Sequence, residues 1–61
     1  MNTLIETVET LTDSQIKMAY RSVQNDATRD AALVRAALYT AWENRHGNES
    51  AEKVFDALDS E

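Results

Sequence analysis

The stretch from residue 31 to residue 42 is apolar at ten of its twelve positions, and only Arg35 and Thr40 interrupt it. A helix with this composition has no polar side to turn towards water, so other elements must cover it on several sides. With 61 residues, the chain has few elements available for that purpose. The stretch therefore predicts a central helix that is wrapped by the rest of the chain, by a second molecule, or by both.

The composition narrows the means by which so short a chain becomes stable. A domain of this size is near the lower limit for a single unaided hydrophobic core. The chain has no Cys and one His, which excludes disulfides and leaves too few ligands for a zinc site. We predict no metal and no cofactor. Small domains without disulfides or a metal are commonly stabilised by self-association, so we expect a homodimer.

The formal net charge of -5 is concentrated near the C-terminal end. Residues 1–48 hold six acidic and five basic side chains, whereas residues 49–61 hold five acidic and one basic. Because Lys and Arg are not clustered, we do not expect general affinity for nucleic acid or for an anionic membrane. No apolar stretch has membrane-spanning length and no signal-peptide pattern is present, which predicts a cytoplasmic location.

Capping residues and apolar periodicity predict an all-α chain. The predicted helices cover about residues 3–10, 12–25, 28–46 and 49–59. The best-marked start is Thr12, which has capping-box spacing to Gln15. The third helix is expected to end at Gly47 in a left-handed conformation. We predict one domain of three to four helices over residues 1–61.

The connection between the second and third helices leaves two arrangements open. The side chains of Asn25, Asp26 and Thr28 compete for backbone hydrogen bonds and predict a break. Residues 12–25 and 28–46 would then form an antiparallel hairpin, which we take as the basis of the fold. The apolar positions also fit one continuous helix over residues 12–46, and such a helix would nearly force dimerisation.

The third helix is predicted to have two apolar sides with different roles. Val34, Leu38 and Trp42 share the bulkier side, which we expect to build the core and which Leu33 and Ala37 are expected to widen. Ala32, Ala36 and Tyr39 lie on the other side, where small residues permit close helix approach. That side either is covered by the short helices or contacts a second subunit or a target protein.

The fourth helix has an apolar side and an acidic stripe, which comprises Glu49, Glu52, Asp56 and Asp59. The acidic stripe is either a solvated face or an imitation of phosphate groups that occupies a basic groove of a partner. A further contact candidate is Met18, which points away from the apolar side of its helix. The predicted partner-binding residues are Ala32, Ala36, Tyr39, Met18, Glu49, Glu52, Asp56 and Asp59.

No catalytic constellation is recognisable in the sequence. His46 precedes Gly47 at a predicted helix end, where a cation complements the helix dipole, and no Ser or Cys lies in a nucleophile context. We therefore predict a non-enzymatic regulator or inhibitor that binds another protein. A competing hypothesis is a structural module that only associates with itself.

A helix-turn-helix that binds nucleic acid is a third hypothesis. Its phosphate contacts would come from Lys17, Arg21, Arg29 and Arg35. The turn lacks Gly, however, and the helix that would read bases is rich in Ala where base-contacting side chains are needed.

Residues 11–13 (Leu-Thr-Asp), Tyr20 and residues 28–30 (Thr-Arg-Asp) resemble the helical hairpins of Sda-type sporulation-kinase inhibitors. In that family, a capped start leads into two antiparallel helices that dock on a histidine kinase. The resemblance covers about residues 11–46 and implies an inhibitor that acts by contact. The chain departs from the family in its Ala-rich second arm and in its additional terminal helices.

Overall fold

In the computed structural model, which describes residues 3–60, the chain forms four α-helices and no strand. The helices are α1 (Thr3–Glu9), α2 (Asp13–Val23), α3 (Arg29–His46) and α4 (Asn48–Asp59). The all-α prediction is confirmed, and each predicted helix end lies within two residues of the observed one. The alternative of one continuous helix over residues 12–46 is wrong, because residues 24–28 are not helical.

The starts of α2 and α3 are fixed by Thr side chains. Thr12 and Gln15 exchange two hydrogen bonds, from each backbone amide to the other's side chain, and so form the predicted capping box. Thr28 caps α3 by accepting from the amide of Ala31 at 3.2 Å. Asp26 in turn accepts from the amide of Thr28 at 2.9 Å, which closes the turn between the two helices.

Gly47 is the C-cap of α3 and also the N-cap of α4. Its φ of 94° is positive, as predicted, but its ψ of 164° is extended. The predicted left-handed helical conformation is therefore wrong. The physical reason is that α4 begins at the next residue, so the chain must change direction within one residue. Backbone with this φ and ψ is essentially restricted to glycine.

α3 is the centre of the fold, because α1, α2 and α4 each pack mainly against it. The core residues on α3 include Leu38 and Trp42, so the predicted core role of Trp42 is confirmed. The core residues from the other helices are Val8, Ile16, Tyr20, Ala51, Phe55 and Leu58. The Cα radius of gyration is 10.7 Å, close to the value of about 10.5 Å for a compact chain of this length.

Arg45 connects three helices near one end of the molecule. Its guanidinium donates to the Asp13 carboxylate at 3.1 Å and to the Glu9 carbonyl at 2.7 Å. The His46 ring lies 2.8 Å from the same carboxylate. The hydrogen bond from Arg45 and the contact with His46 hold the pKa of Asp13 below its usual value. These contacts join the start of α2 to the end of α3.

None of the helices within residues 3–60 combines the length and the apolar character that crossing a lipid bilayer requires.

Candidate functional site

The predicted contact side of α3 is open to solvent over its first half. Ala32 and Ala36 are exposed, and Leu33 beside them has 55% of its surface exposed. Leu33 was expected to widen the core side, so that expectation is wrong. α1 and α4 cover α3 from other directions and leave this strip uncovered. An apolar side chain of this size in water is a candidate contact point.

A groove of about 270 Å³ runs between α1 and α3, and we call it the α1–α3 groove. It is lined by Leu4, Ile5, Leu33, Ala36, Ala37 and Thr40. All of these side chains except that of Thr40 are apolar. The groove therefore extends the exposed strip of α3 onto a second helix, which sequence reasoning did not anticipate.

Tyr39 lies at the boundary between α3 and α4 instead of beside the α1–α3 groove. Its ring is half-buried, with a centroid 5.4 Å from that of Phe55. Its hydroxyl accepts a hydrogen bond from the Asn48 side chain at 3.4 Å. Partial burial, together with the negative charges of Glu52 and Glu43, raises the pKa of this hydroxyl. Tyr39 thus adjoins the acidic stripe.

All four carboxylates of the acidic stripe are exposed. Asp59 differs from the others because it accepts a hydrogen bond of 2.7 Å from the Tyr20 hydroxyl, and so it also holds α4 against α2. Burial of Tyr20, followed by this hydrogen bond, raises the pKa of its hydroxyl to about 12.

Met18 is the most exposed large apolar side chain among residues 3–60, with 67% of its surface in solvent. It lies on α2, and no described contact brings it to Ala32, Ala36 or the acidic stripe. The predicted residues thus fall into separate surfaces instead of one site.

A second groove, between α2 and α4, has a volume of about 300 Å³, and we call it the α2–α4 groove. Its lining residues are Lys17, Arg21, Lys53, Val54, Ala57 and Leu58. Three cations thus surround an apolar floor in a chain that is acidic overall. The sequence places Lys17 and Arg21 on one side of α2, but only the packing of α4 against α2 adds Lys53.

Other polar side chains of the types found at catalytic or phosphate-binding sites form contacts that hold the helices together. Arg35, a candidate for phosphate contact, donates to the carbonyls of Val23 and Asp26 at 2.6 and 2.8 Å. His46 packs on Trp42, with ring centroids 4.8 Å apart. Among residues 3–60, no group of three or more His, Cys, Asp and Glu side chains is arranged to hold a metal ion.

Comparison of the chain with protein-family models, with curated proteins and with solved structures finds no match in any of the three. The resemblance to sporulation-kinase inhibitors stays a prediction. The surfaces that bear on function are therefore the two grooves and the exposed strip of α3.

Proposed function

We propose that this chain is a non-enzymatic protein that binds another protein, as a regulator or inhibitor in the cytoplasm. The observation that carries the proposal is the exposed apolar strip of α3 together with the α1–α3 groove. Leu33 is 55% exposed, although Leu38 and Trp42 further along the same helix are buried. Apolar surface concentrated beside small residues favours insertion of a partner's side chains or helix.

The framework of this surface is the antiparallel hairpin formed by α2 and α3. Contacts between opposite ends support this arrangement. Arg45, near the end of α3, contacts Asp13 at the start of α2, whereas Arg35, near the start of α3, contacts Val23 at the end of α2. Such a hairpin gives α3 a rigid support, so a partner would meet a preformed surface with little ordering cost.

The proposal is tested by capture of partners from cells that contain the protein naturally. Ala36→Arg places a long cation in the α1–α3 groove, and Ala27→Arg makes the same change in the exposed turn between α2 and α3. We expect the wild type and Ala27→Arg to recover one partner equally. Ala36→Arg should recover at least about tenfold less, since a charge in an apolar interface removes more than 1.4 kcal/mol of binding energy.

The captured partner is then purified and its own activity is measured with and without this chain. A change in activity would distinguish a regulator or inhibitor from a passive ligand. Equal recovery by Ala36→Arg and Ala27→Arg, with both variants folded by circular dichroism, would exclude the α1–α3 groove as the binding surface.

We also propose that the chain forms a homodimer. Its 61 residues lie in the range where oligomerisation commonly supplements a small core, and the α2–α4 groove leaves further apolar surface uncovered. A homodimer is expected both of a regulator and of the competing hypothesis, a structural module that only associates with itself. The capture experiment distinguishes these two hypotheses, because a purely structural module would recover no partner through the α1–α3 groove.

A further inference from the structure

The exposed strip of α3 continues along the same side of the helix towards its C-terminal end. At 3.6 residues per turn, Arg29, Tyr39 and Glu43 lie within about 60° of Ala36 around the helix axis. From Arg29 to Glu43 the strip is about 21 Å long, which is about four turns. Ala36 at its centre has a side chain of one carbon, so a second helix could approach the backbone of α3 closely.

α1 and α4 lie along opposite edges of this strip. At one edge, Leu33 lines the α1–α3 groove together with two side chains of α1. At the other edge, the Tyr39 ring packs on Phe55 of α4, with ring centroids 5.4 Å apart. Leu33 and Tyr39 are on opposite sides of Ala36 around the helix axis. A partner segment seated on the strip would therefore be flanked by both helices.

The α4 edge of the strip is acidic. The Glu43 carboxylate accepts a hydrogen bond of 2.6 Å from the Asn48 side chain, which also contacts the Tyr39 hydroxyl. Partial burial, followed by the negative charges of Glu52, Glu43 and Asp56, raises the pKa of this hydroxyl, so all three carboxylates act at this edge. Within residues 3–60, none of the three forms an ion pair.

The basic side chains of α3 and α4 do not neutralise this acidic edge. Arg35 and Arg45 hydrogen-bond to groups of other elements, as described above. Lys53 is next to the acidic stripe in α4, but it lines the α2–α4 groove. Arg29 is about 21 Å from Glu43 along the helix axis, whereas salt screens exposed charges over about 8–10 Å. The acidic edge therefore keeps its negative charge.

A surface of this kind is complemented by an amphipathic helix that has Lys or Arg beside its apolar side. A second copy of this chain fits less well. Its own strip has the same acidic edge and one cation, Arg29, and the charged side chains of α1 are Glu6 and Glu9. Like charges in contact across an interface oppose association. Charge complementarity thus favours a basic segment of another protein.

We propose that the partner of this protein presents a basic amphipathic helix, which places Lys or Arg side chains opposite Glu43, Glu52 and Asp56. Its apolar side packs on the exposed strip of α3, where side chains at positions i, i+4 and i+7 of the partner helix contact Leu33 and Ala36. The inference rests on the proposed function as a regulator or inhibitor, and it names the chemistry of the partner.

Two synthetic peptides test this chemistry before the natural partner is identified. Both have about 18 residues, enough for an Ala-rich helix in water, and carry the same Ala and Leu side chains on one side. One peptide has Lys at the edges of that side, and the other has Glu. By fluorescence anisotropy we expect the Lys peptide to bind at least about tenfold more tightly. Equal affinities, or no binding of either peptide up to about 1 mM, would overturn the inference.

Two double variants of equal net charge locate the surface that binds the Lys peptide. Glu52→Gln/Asp56→Gln neutralises carboxylates of the acidic edge, whereas Met18→Lys/Ser22→Lys adds cations at exposed positions of α2. The first variant should bind about fivefold more weakly than the wild type, as expected for loss of two exposed ion pairs. The second should stay within about twofold of the wild type, because salt screens distant charges. Equal weakening of both would indicate a general attraction to an acidic protein and would overturn the inference.

The apolar half of the contact is tested by Ala36→Arg, which should weaken binding of the Lys peptide at least about tenfold. If circular dichroism shows that this variant unfolds, Ala32→Arg at an exposed position of the same strip replaces it. Unchanged binding in a folded variant would mean that the peptide binds elsewhere, which would also overturn the inference.

Capture of the natural partner separates this inference from the proposed function. A partner that depends on Ala36 but is recovered equally by the wild type and Glu52→Gln/Asp56→Gln would leave the proposed function standing and overturn the inference. Binding of the Lys peptide as expected, without recovery of any partner, would contradict the proposed function and support the chemistry assigned to the surface.

Discussion

At the scale of the residue, polar side chains inside the apolar framework hold helix ends and helix pairs together. Arg35 interrupts the apolar run of α3, where its guanidinium donates to the Val23 carbonyl at the end of α2 and to the Asp26 carbonyl in the following turn. The Val23 carbonyl also accepts from the Asp26 amide at 3.1 Å, so the turn and Arg35 together supply partners that the end of a helix lacks. Tyr20 has a similar role, because its ring packs on Phe55 at 4.7 Å and its hydroxyl binds Asp59.

Tyr20→Phe keeps the ring and removes the hydrogen bond to Asp59. We expect the free energy of unfolding at pH 7 to fall by about 1–2 kcal/mol, as for a hydrogen bond to a charged acceptor. The measurement is urea denaturation followed by circular dichroism. Asp59→Asn keeps an acceptor without the charge and should lose less than Tyr20→Phe.

The wild type and Tyr20→Phe should also differ in how their stability depends on pH. The pKa of Tyr20 is raised from 10.0 to about 12, so its protonated hydroxyl stabilises the fold fully below pH 10. That contribution is lost as the pH rises through about 12. The wild type should therefore lose more stability between pH 10 and 12 than Tyr20→Phe. Parallel stability curves for the two proteins over this range would contradict the role given to the hydroxyl.

At the scale of the element, most helix boundaries could be predicted because their causes are local. Thr12 and Gln15 satisfy each other within one turn, and the Thr28 hydroxyl needs only the amide of Ala31, three residues later. The conformation of Gly47 could not be predicted in this way. Its ψ depends on where α4 packs, and that direction is set by side-chain contacts between α3 and α4, such as the Trp42 indole donating to Ser50 at 3.1 Å.

Substitution of Gly47 distinguishes the observed extended conformation from the predicted left-handed helical one. A Cβ atom there would meet no atom within 4 Å, so any cost of Gly47→Ala comes from the backbone alone. At φ 94° and ψ 164° we expect a loss of about 1–3 kcal/mol in the free energy of unfolding. Asn tolerates the left-handed helical region, so Gly47→Asn would be mild there. In the extended conformation, Gly47→Asn should lower the free energy of unfolding about as much as Gly47→Ala does. A much smaller loss for Gly47→Asn, measured by thermal or urea unfolding, would contradict the observed ψ.

At the scale of the whole molecule, the sequence predicts which apolar residues share one side of a helix but not which grooves they form with other helices. Val34, Leu38 and Trp42 follow one helical stripe, and periodicity alone predicts their side of α3. Leu33 and Ile5 form one groove only because α1 docks beside that stripe. The meeting of cations from α2 and α4 also depends on helix packing, which no local pattern encodes.

The same architecture predicts an order of local stability. α1 has seven residues and packs mainly on α3, and so short a helix is not stable without such contacts. We expect backbone amides of α1 to exchange with solvent at least about tenfold faster than those at the centre of α3. Val8→Ala should accelerate exchange in α1 more than in α3. Equal protection of both helices, measured by NMR hydrogen exchange, would mean that α1 and α3 open as one unit.

The central position of α3 also limits how the sequence can diverge. One side of this helix builds the core, and Arg35 and Arg45 tie its ends to other helices. A substitution on the core side of α3 therefore risks the fold, whereas the strip of α3 that we propose as a contact surface is exposed. The α1 wall of the α1–α3 groove lies between these cases, since Leu4 and Ile5 are half-buried. Selection for a new partner would find its most tolerant positions on the exposed strip of α3.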